Sequence, residues 1–218
     1  MKAKEYFEKY EAGLTDGNEE TGKKAIADFL TELVQEIEKD KKRRKLTEPL
    51  TCRPAAAEDL PAIMEIYSYA REFMATHGNP NQWGPTHWPP EALIRRDIAE
   101  GNSYVCVNDA GKVVGTFFFI SGADIEPTYR NIADGAWLDD SPYGVVHRIA
   151  SDGSEKGIGA FCINWAYEQC KHIRIDTHGD NAVMQNLLKK LGFVHCGTIF
   201  VHEDNDPRLA FEKSDRIM

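Results

Sequence analysis

Val145-Val146-His147-Arg148-Ile149-Ala150, followed without interruption by Ser151-Asp152-Gly153-Ser154-Glu155-Lys156-Gly157-Ile158-Gly159, is the stretch on which the reading of this chain turns. Valine and isoleucine make the first six residues a strand. Three glycines then mark a turn, and Ile158, Phe161, Cys162, Trp165 and Ala166 share one face of a helix that begins at once. A strand, a glycine loop and a helix start together outline an anion site. Glycine lets the backbone approach a ligand closely, and the unpaired amides and dipole of the first helical turn aim positive charge at it. A phosphate-bearing cofactor fits this outline. A P-loop would need Gly-Lys-Ser/Thr after four spacer residues, and a dinucleotide fingerprint would need a third glycine where Cys162 stands. Both are missing. The competing reading is a glycine turn that only joins strand to helix.

Outward from this stretch the chain alternates strands and helices. Upstream lie a strand over 50–54 and a helix opening at Ala57-Glu58-Asp59, with Leu60, Ile63, Tyr67, Ala70 and Met74 on one face. A second helix opens at Pro90-Glu91-Ala92, proline being suited to the first turn. Strands over 103–107 and 112–120 flank Asn108-Asp109-Ala110-Gly111, a hairpin signal. Downstream come a strand over 172–177, then a helix with Val183, Met184, Leu187, Leu188 and Leu191 on one stripe and a stop at Gly192. Two strands, 196–202 and 209–213, close the chain. The order predicts an α/β domain over 50–218 with a mixed, mostly antiparallel sheet and flanking helices.

Residues 1–49 differ in character and are expected to form a helical hairpin. Ile26, Phe29, Leu30, Leu33, Val34 and Ile37 form one apolar stripe, Tyr6, Phe7, Tyr10 and Leu14 a weaker one, and Thr15-Asp16-Gly17-Asn18 a turn. This extension reads as packing for the main domain; a dimerisation or partner-docking arm is the alternative, so a homodimer stays open. The run Lys41-Lys42-Arg43-Arg44-Lys45 reads as a solvated helix end, where the carbonyl terminus favours cations.

Composition narrows the function classes. In 218 residues, 42% hydrophobic and 28% charged, the chain has enough apolar surface for a core. A formal charge of -9 argues against nucleic acid and anionic membranes as partners. Cys52, Cys106, Cys162, Cys170 and Cys196 are scattered without C-x-x-C spacing, so they read as reduced thiols, with neither a disulfide framework nor a structural zinc site signalled. The longest apolar run, 113–120, has the length of a strand, and the amino terminus has no apolar targeting core; the cytoplasm is the expected location.

The loop and helix resemble those of the GNAT superfamily of N-acyltransferases, whose loop runs Gln/Arg-x-x-Gly-x-Gly/Ala. Lys156 followed by Gly157-Ile158-Gly159 supplies its latter half. The superfamily's Asn-x-x-Ala-x-x-x-Tyr-x-Lys-x-Gly-Phe pattern is matched by Asn181, Lys190, Gly192 and Phe193, with Met184 at the small-residue position. The resemblance covers roughly residues 50–214 and implies the GNAT fold, with acetyl-CoA as co-substrate and a small-molecule amine as acceptor. It implies that Ile149 and Ala150 engage pantetheine, that Gly153, Ser154, Lys156, Gly157, Ile158 and Gly159 surround the pyrophosphate, and that Asn181 contacts the cofactor. Two positions depart from the pattern. Ser154 stands in place of Gln or Arg, and Leu188 in place of the Tyr that many relatives use to protonate the leaving thiolate.

An amine is protonated at neutral pH and must lose a proton before attacking a thioester, so a base is required. His147, on the strand entering the loop, is the first candidate, a structural histidine being the alternative. His172, Arg174, Asp176 and His178 share one face of the next strand by their period of two, and Asp176 and His178 are expected to orient each other or to bind the acceptor. No metal is expected there, because the spacing fixes no third ligand. The loop over 77–89, with Gln82, Trp83 and Trp88, resembles the Gln-Trp then Tyr-Pro loop of many bacterial GNAT members and is expected to wall the acceptor site. Trp137, with Asp139 and Asp140, is the expected opposite wall. The rival from another class is a non-catalytic acyl-CoA-binding module, which Leu188 and Ser154 would favour.

Overall fold

The computed structural model describes residues 24, 26–35, 50–201 and 206–215. The chain divides into two compact units, Met1–Glu48 and Pro49–Met218. In the first, residues 26–35 are helical, with Ile26, Leu30 and Val34 exposed along it. The upstream stripe, the turn over 15–18, Ile37 and the basic run over 41–45 lie outside the described residues.

The second unit runs β1 (Thr51–Pro54), a 3-10 turn (Ala57–Asp59), α1 (Leu60–Thr76), α2 (Glu91–Ala99), β2 (Ser103–Val107) and β3 (Val113–Gly122). A second 3-10 turn (Pro127–Arg130) precedes β4 (Tyr143–Ser151), α3 (Ile158–Cys170), β5 (His172–His178), α4 (Ala182–Lys190), β6 (Val194–Phe200) and β7 (Pro207–Ser214). The seven strands lie in the order β1-β2-β3-β4-β5-β7-β6, and every neighbouring pair is antiparallel except β4 with β5. This is the element order read from periodicity. The difference is β6, which starts at Val194 and ends at Phe200; its register slips between His195 and Gly197, and the slip breaks the alternation by which a strand is recognised. Among the described residues, no helix is long and apolar enough to cross a membrane.

Alternation along the strands divides the core between the two faces of the sheet. Cys106, Phe117, Val146, Ile173, Ile175 and Phe211 pack under α3 and α4 together with Cys162, Ile163 and Leu188. The neighbouring residue Val105 faces the other way and packs under α1 and α2, against Ile63, Ile66, Tyr67 and Ile94. Val145, Tyr143 and Tyr129 extend that second face beneath the irregular segment joining β3 to β4.

Leu188 is fully buried in the first cluster. Leu188→Ala is expected to cost about 2–5 kcal/mol, the range for truncating a buried leucine. Denaturant melts and turnover measured on the same preparations check this, and the expected pattern is a large stability loss with turnover per folded molecule nearly unchanged.

The central irregularity lies in β4. Thr116 pairs with Ala150 and Phe118 with His147, so two residues of β4, Arg148 and Ile149, stand opposite Phe117 alone. Arg148 takes φ +52, in the left-handed region that non-glycine residues avoid at a cost of about 1–2 kcal/mol. The strain is held by three contacts. The Arg148 guanidinium donates to Asp97 at 2.6 Å and lies 4.7 Å from the centre of the Phe118 ring, while the Tyr67 hydroxyl donates to the Arg148 carbonyl at 3.0 Å. A bulge bends its strand. The parallel ladder with β5 is confined to Gly144↔Ile173 and Val145↔Arg174, and beyond it the two strands splay.

Candidate active site

His147 lies where β4 and β5 part, on the face opposite Val146, and the matching residue of β5 is Asp176. The His147 Nε2 is 3.0 Å from Glu126 Oε2, and its Nδ1 is 3.6 Å from Asp176 Oδ1. The first distance is a hydrogen bond and the second is too long for one. The Asp176 oxygen is already engaged by the Tyr129 hydroxyl, which donates to it at 2.7 Å. The neutral tautomer consistent with these distances carries its proton on Nε2, donated to Glu126, leaving the Nδ1 lone pair facing the gap before Asp176.

Glu126 is set by the 3-10 turn it caps, accepting from the Thr128 amide at 3.1 Å and the Thr128 hydroxyl at 2.7 Å. Burial by itself would raise this carboxyl. With His147 protonated, its hydrogen bond and charge, together with the two Thr128 donors, overcome it and hold Glu126 at about 2, below its ordinary 4.5. Tyr129 moves the other way: burial, and then the neighbouring Asp176 charge, push it well above 10, so it stays protonated and serves as a donor.

The depression of Glu126 has a consequence for stability. A carboxylate whose folded value lies below its unfolded one contributes stability fully above about pH 4.5 and loses it as pH falls towards 2. Allowing for its partial exposure, Glu126 is expected to account for roughly 2–3 kcal/mol of the acid loss. Urea melts of the native chain and of Glu126→Gln at about pH 5 and about pH 3 test this: the native protein should lose more stability than the variant across that interval.

His178 does not join the cluster. Its Nδ1 accepts from the Asp180 amide at 3.1 Å, with the Asp180 carboxylate 3.6 Å away. The expected mutual orientation of Asp176 and His178 is therefore not what the geometry gives, since each is engaged elsewhere. His172 and Arg174, on the same strand face, converge on Glu212 of β7. His172 Nε2 lies 2.5 Å and Arg174 Nε 2.9 Å from Glu212 Oε1, and the Leu138 amide donates to the other oxygen. Burial opposes ionisation of Glu212, but His172, the Leu138 amide and Arg174 hold it below its ordinary value.

Trp137, expected as an acceptor wall, stands one layer behind His147. Its indole N–H donates to the Tyr129 carbonyl at 2.7 Å, its ring lies 5.1 Å from that of Tyr129, and the Arg174 guanidinium sits 4.4 Å from its centre. Trp137 thus fixes Tyr129, which in turn fixes Asp176.

Gln82, Trp83 and Trp88 belong to the loop between α1 and α2. Trp83 meets Tyr67 edge-on at 5.8 Å and packs on the core under α1, and the Trp88 amide donates to the Trp83 carbonyl at 3.1 Å. Gln82 Oε1 accepts from Asn79 at 2.6 Å and from Asn181 at 3.1 Å. Asn181 is also the N-cap of α4, accepting from the Met184 amide at 3.0 Å. Asn181 thereby ties the aromatic loop to the start of α4, with one N–H and one lone pair of its amide still available beyond these two bonds.

Between β4 and α3, Gly157 takes φ +92 at the N-cap, and a Cβ built there meets no atom within 4 Å. Open space faces the helix start, whose first intrahelical bond runs from the Phe161 amide to the Gly157 carbonyl at 2.9 Å. The amides of Ile158, Gly159 and Ala160 precede that bond, and Lys156 is exposed beside them. These residues fit a pyrophosphate. Gly153 is constrained from within, as a Cβ there would stand 2.1 Å from the Tyr69 hydroxyl oxygen. The Ser154 amide and hydroxyl both bond Asp152, so the amides around the loop are not all free as expected. Asp152 itself pairs with Lys112 at 2.6 Å, and Glu155 accepts from Asn108 at 3.0 Å, which pins the loop's acids to the β2–β3 turn. The side chains of Ile149 and Ala150 pack on the α3-side core and the α1-side core respectively.

Glu126 and Tyr129 were not among the residues picked from sequence. They lie in a stretch without period, and the available signal was an acid followed by Pro127-Thr128, the pattern of a capped turn.

Comparison with solved structures gives the class that this fold defines. A GNAT-family acetyltransferase from Streptococcus agalactiae superposes with a TM-score of 0.63 at 29% identity, over 76% of this chain and 95% of its own. A GNAT-family acetyltransferase from Listeria monocytogenes gives 0.55 at 16% identity, over 77% and 99%. A phosphinothricin acetyltransferase from Sinorhizobium meliloti, solved with acetyl-CoA, gives 0.50 at 21% identity, over 78% and 92%. No family model matches the sequence, and no curated protein matches it. The chain has the GNAT fold and resembles the GNAT acetyltransferases.

Proposed function

We propose that residues 49–218 transfer an acetyl group from acetyl-CoA directly to the amine of a small molecule. The observation that carries this reading is the opening between β4 and β5, with His147 at its edge between two carboxylates. The S. agalactiae acetyltransferase supports acetyl transfer, and the S. meliloti enzyme with acetyl-CoA supports the co-substrate.

In this reading the amides at the start of α3, with Lys156, receive the pyrophosphate, and the unpaired edge of β4 beyond Val145 receives the pantetheine arm. The thioester then lies where the strands splay. His147 Nδ1 takes the proton from the ammonium of the acceptor. The freed lone pair attacks the thioester carbonyl, the new C–N bond forms as the C–S bond breaks, and the surplus proton on the nitrogen passes through water to the departing thiolate, giving the amide and free CoA thiol. The imidazolium formed at His147 is stabilised by Glu126 at one nitrogen and Asp176 at the other, an orienting and charge-balancing role for both acids. The same carboxylates favour a cationic acceptor. Because a thiolate leaves readily, Leu188 in the position of the missing tyrosine does not block transfer.

The test is a thermal shift with acetyl-CoA followed by release of free CoA across a panel of small amines. Bound co-substrate should raise the melting temperature by mass action, and at least one amine should give steady turnover. Gly157→Val, strained by the left-handed backbone and bulky at the open helix start, should weaken acetyl-CoA binding in calorimetry. Binding without turnover on any amine would favour an acyl-CoA-binding module, the reading to which the buried Leu188 points. No shift with acetyl-CoA would remove both.

A further inference from the structure

Three of the five cysteines, unrelated by spacing in the sequence, meet in the core. The sulfur atoms of Cys52, Cys106 and Cys162 all lie within 4.8 Å of one another. Cys52 of β1 and Cys106 of β2 are register partners, and Cys162 comes down on them from α3, one turn after Ile158. The meeting depends on Gly115. A Cβ there would stand 2.5 Å from Ile158 Cγ2 and 3.3 Å from Cys106 Cβ, so glycine lets α3 settle close to the sheet. Cys106 and Cys162 are fully buried and Cys52 is partly exposed, which makes Cys52 the point of entry. The remaining two thiols are engaged differently: Cys170 donates to the His172 carbonyl at 3.1 Å, and Cys196 to the Val194 carbonyl at 3.5 Å.

We propose that this triad is a binding site for a three-coordinate thiophilic ion of charge +3, a trivalent arsenical being the probe of that class. The sulfurs, within 4.8 Å of one another, are close to the required spacing: a trivalent arsenical keeps a lone pair and is pyramidal, and with bonds of about 2.3 Å and angles near 100° it holds its sulfurs about 3.5 Å apart, a closure of at most about 1.3 Å. Coordination number and charge then select the ion. The lining is apolar, with Val114, Phe117, Ile158 and Ile163 in the same cluster, and among the described residues no fourth His, Cys, Asp or Glu joins the three sulfurs to complete a tetrahedral zinc site. Three thiolates carry three negative charges. A monovalent or divalent ion leaves the complex anionic among these apolar side chains, at a high desolvation cost. A trivalent one makes it neutral. The reaction balances without an oxidant: arsenous acid and three thiols give one arsenic trithiolate and three waters, three S–H and three As–O bonds being exchanged for three As–S and three O–H bonds.

The site is separate from the cleft between β4 and β5, and its test does not depend on acetyl transfer. The full chain, reduced, is titrated with sodium arsenite and read by native mass spectrometry, thiol counting and melting temperature. The expected result is a one-to-one adduct, a fall from five to two alkylatable cysteines on unfolding in the presence of arsenite, and a rise in melting temperature. Cys52→Ala, at the partly exposed corner, should fold and lose the adduct and the thermal shift, whereas Cys170→Ala should keep both. If Cys52→Ala does not fold, Cys162→Ser serves as the second variant, with the same loss expected. Absence of the adduct, its persistence in a folded triad variant, or tighter binding of zinc or monovalent copper than of arsenite in competition would each overturn the proposal.

Discussion

His147→Ala is expected to retain acetyl-CoA affinity while losing roughly two to four powers of ten in turnover, the usual worth of a general base. The two effects separate because the co-substrate is assigned to backbone amides at the start of α3, while the proton is assigned to a side chain on the face of β4 towards Asp176. The loss should shrink as pH rises towards the pKa of the acceptor, since more amine then arrives neutral. A histidine kept only for structure would lower turnover and melting temperature together, without recovery at high pH, because a lost hydrogen bond is indifferent to the state of the amine. Turnover and melting temperature followed for both proteins over one pH range decide the matter. A variant at full speed would move the role of base to Glu126 or Asp176.

Glu212→Ala should produce the largest loss of stability. The carboxylate is inaccessible to solvent and holds His172, Arg174 and the Leu138 amide together. Its removal leaves the Arg174 guanidinium buried between Trp137 and Tyr143 with its carboxylate partner gone; the remaining bond to the Asp139 carbonyl leaves the positive charge unbalanced. Breaking a buried pair from one side costs about 3–5 kcal/mol, on the order of 10 °C in melting temperature for a domain of this size. The effect belongs to the unpaired charge more than to the pair. Glu212→Leu combined with Arg174→Met should therefore be less destabilised than Glu212→Ala, as denaturant melts of the three proteins would reveal.

What could be read in the sequence was what has a period or a turn signature. The seven strands and four helices of the second unit announced themselves through Val and Ile runs, the Asn108–Gly111 turn and the Gly192 stop, and the loop from Ser151 to Gly159 through its glycines. The site was only half legible. His147 and Asp176 could be picked because each lies on a strand whose alternation assigns it a face, and parallel pairing of neighbouring strands brings such faces together. Glu126 could not, because the segment carrying it returns to the sheet by tertiary packing, with Trp137 on the Arg174 guanidinium and Tyr129 against the rings of Trp137 and Tyr143, and no local rule encodes that return. The meeting of Cys52, Cys106 and Cys162 escaped for the same reason: it depends on strand register and on a glycine in a fourth element. Asn181 was found by its motif, but its partner Gln82 lies on a distant loop, so its contacts could not be foreseen.

The bulge at Arg148 also leaves a mark on ancestry. Glycine at 148 would relieve the left-handed backbone yet abandon Asp97, a buried acid that desolvation already pushes towards protonation despite its arginine. Neither position can drift alone without loss: losing Arg148 strands a carboxylate in the core, and losing Asp97 strands a guanidinium beside Phe118. Descendants of a common parent should therefore carry either both residues or neither, with glycine or asparagine at 148 accompanied by an uncharged residue at 97. The two positions would record a single inherited event, written once on a strand and once on a helix far apart in the chain.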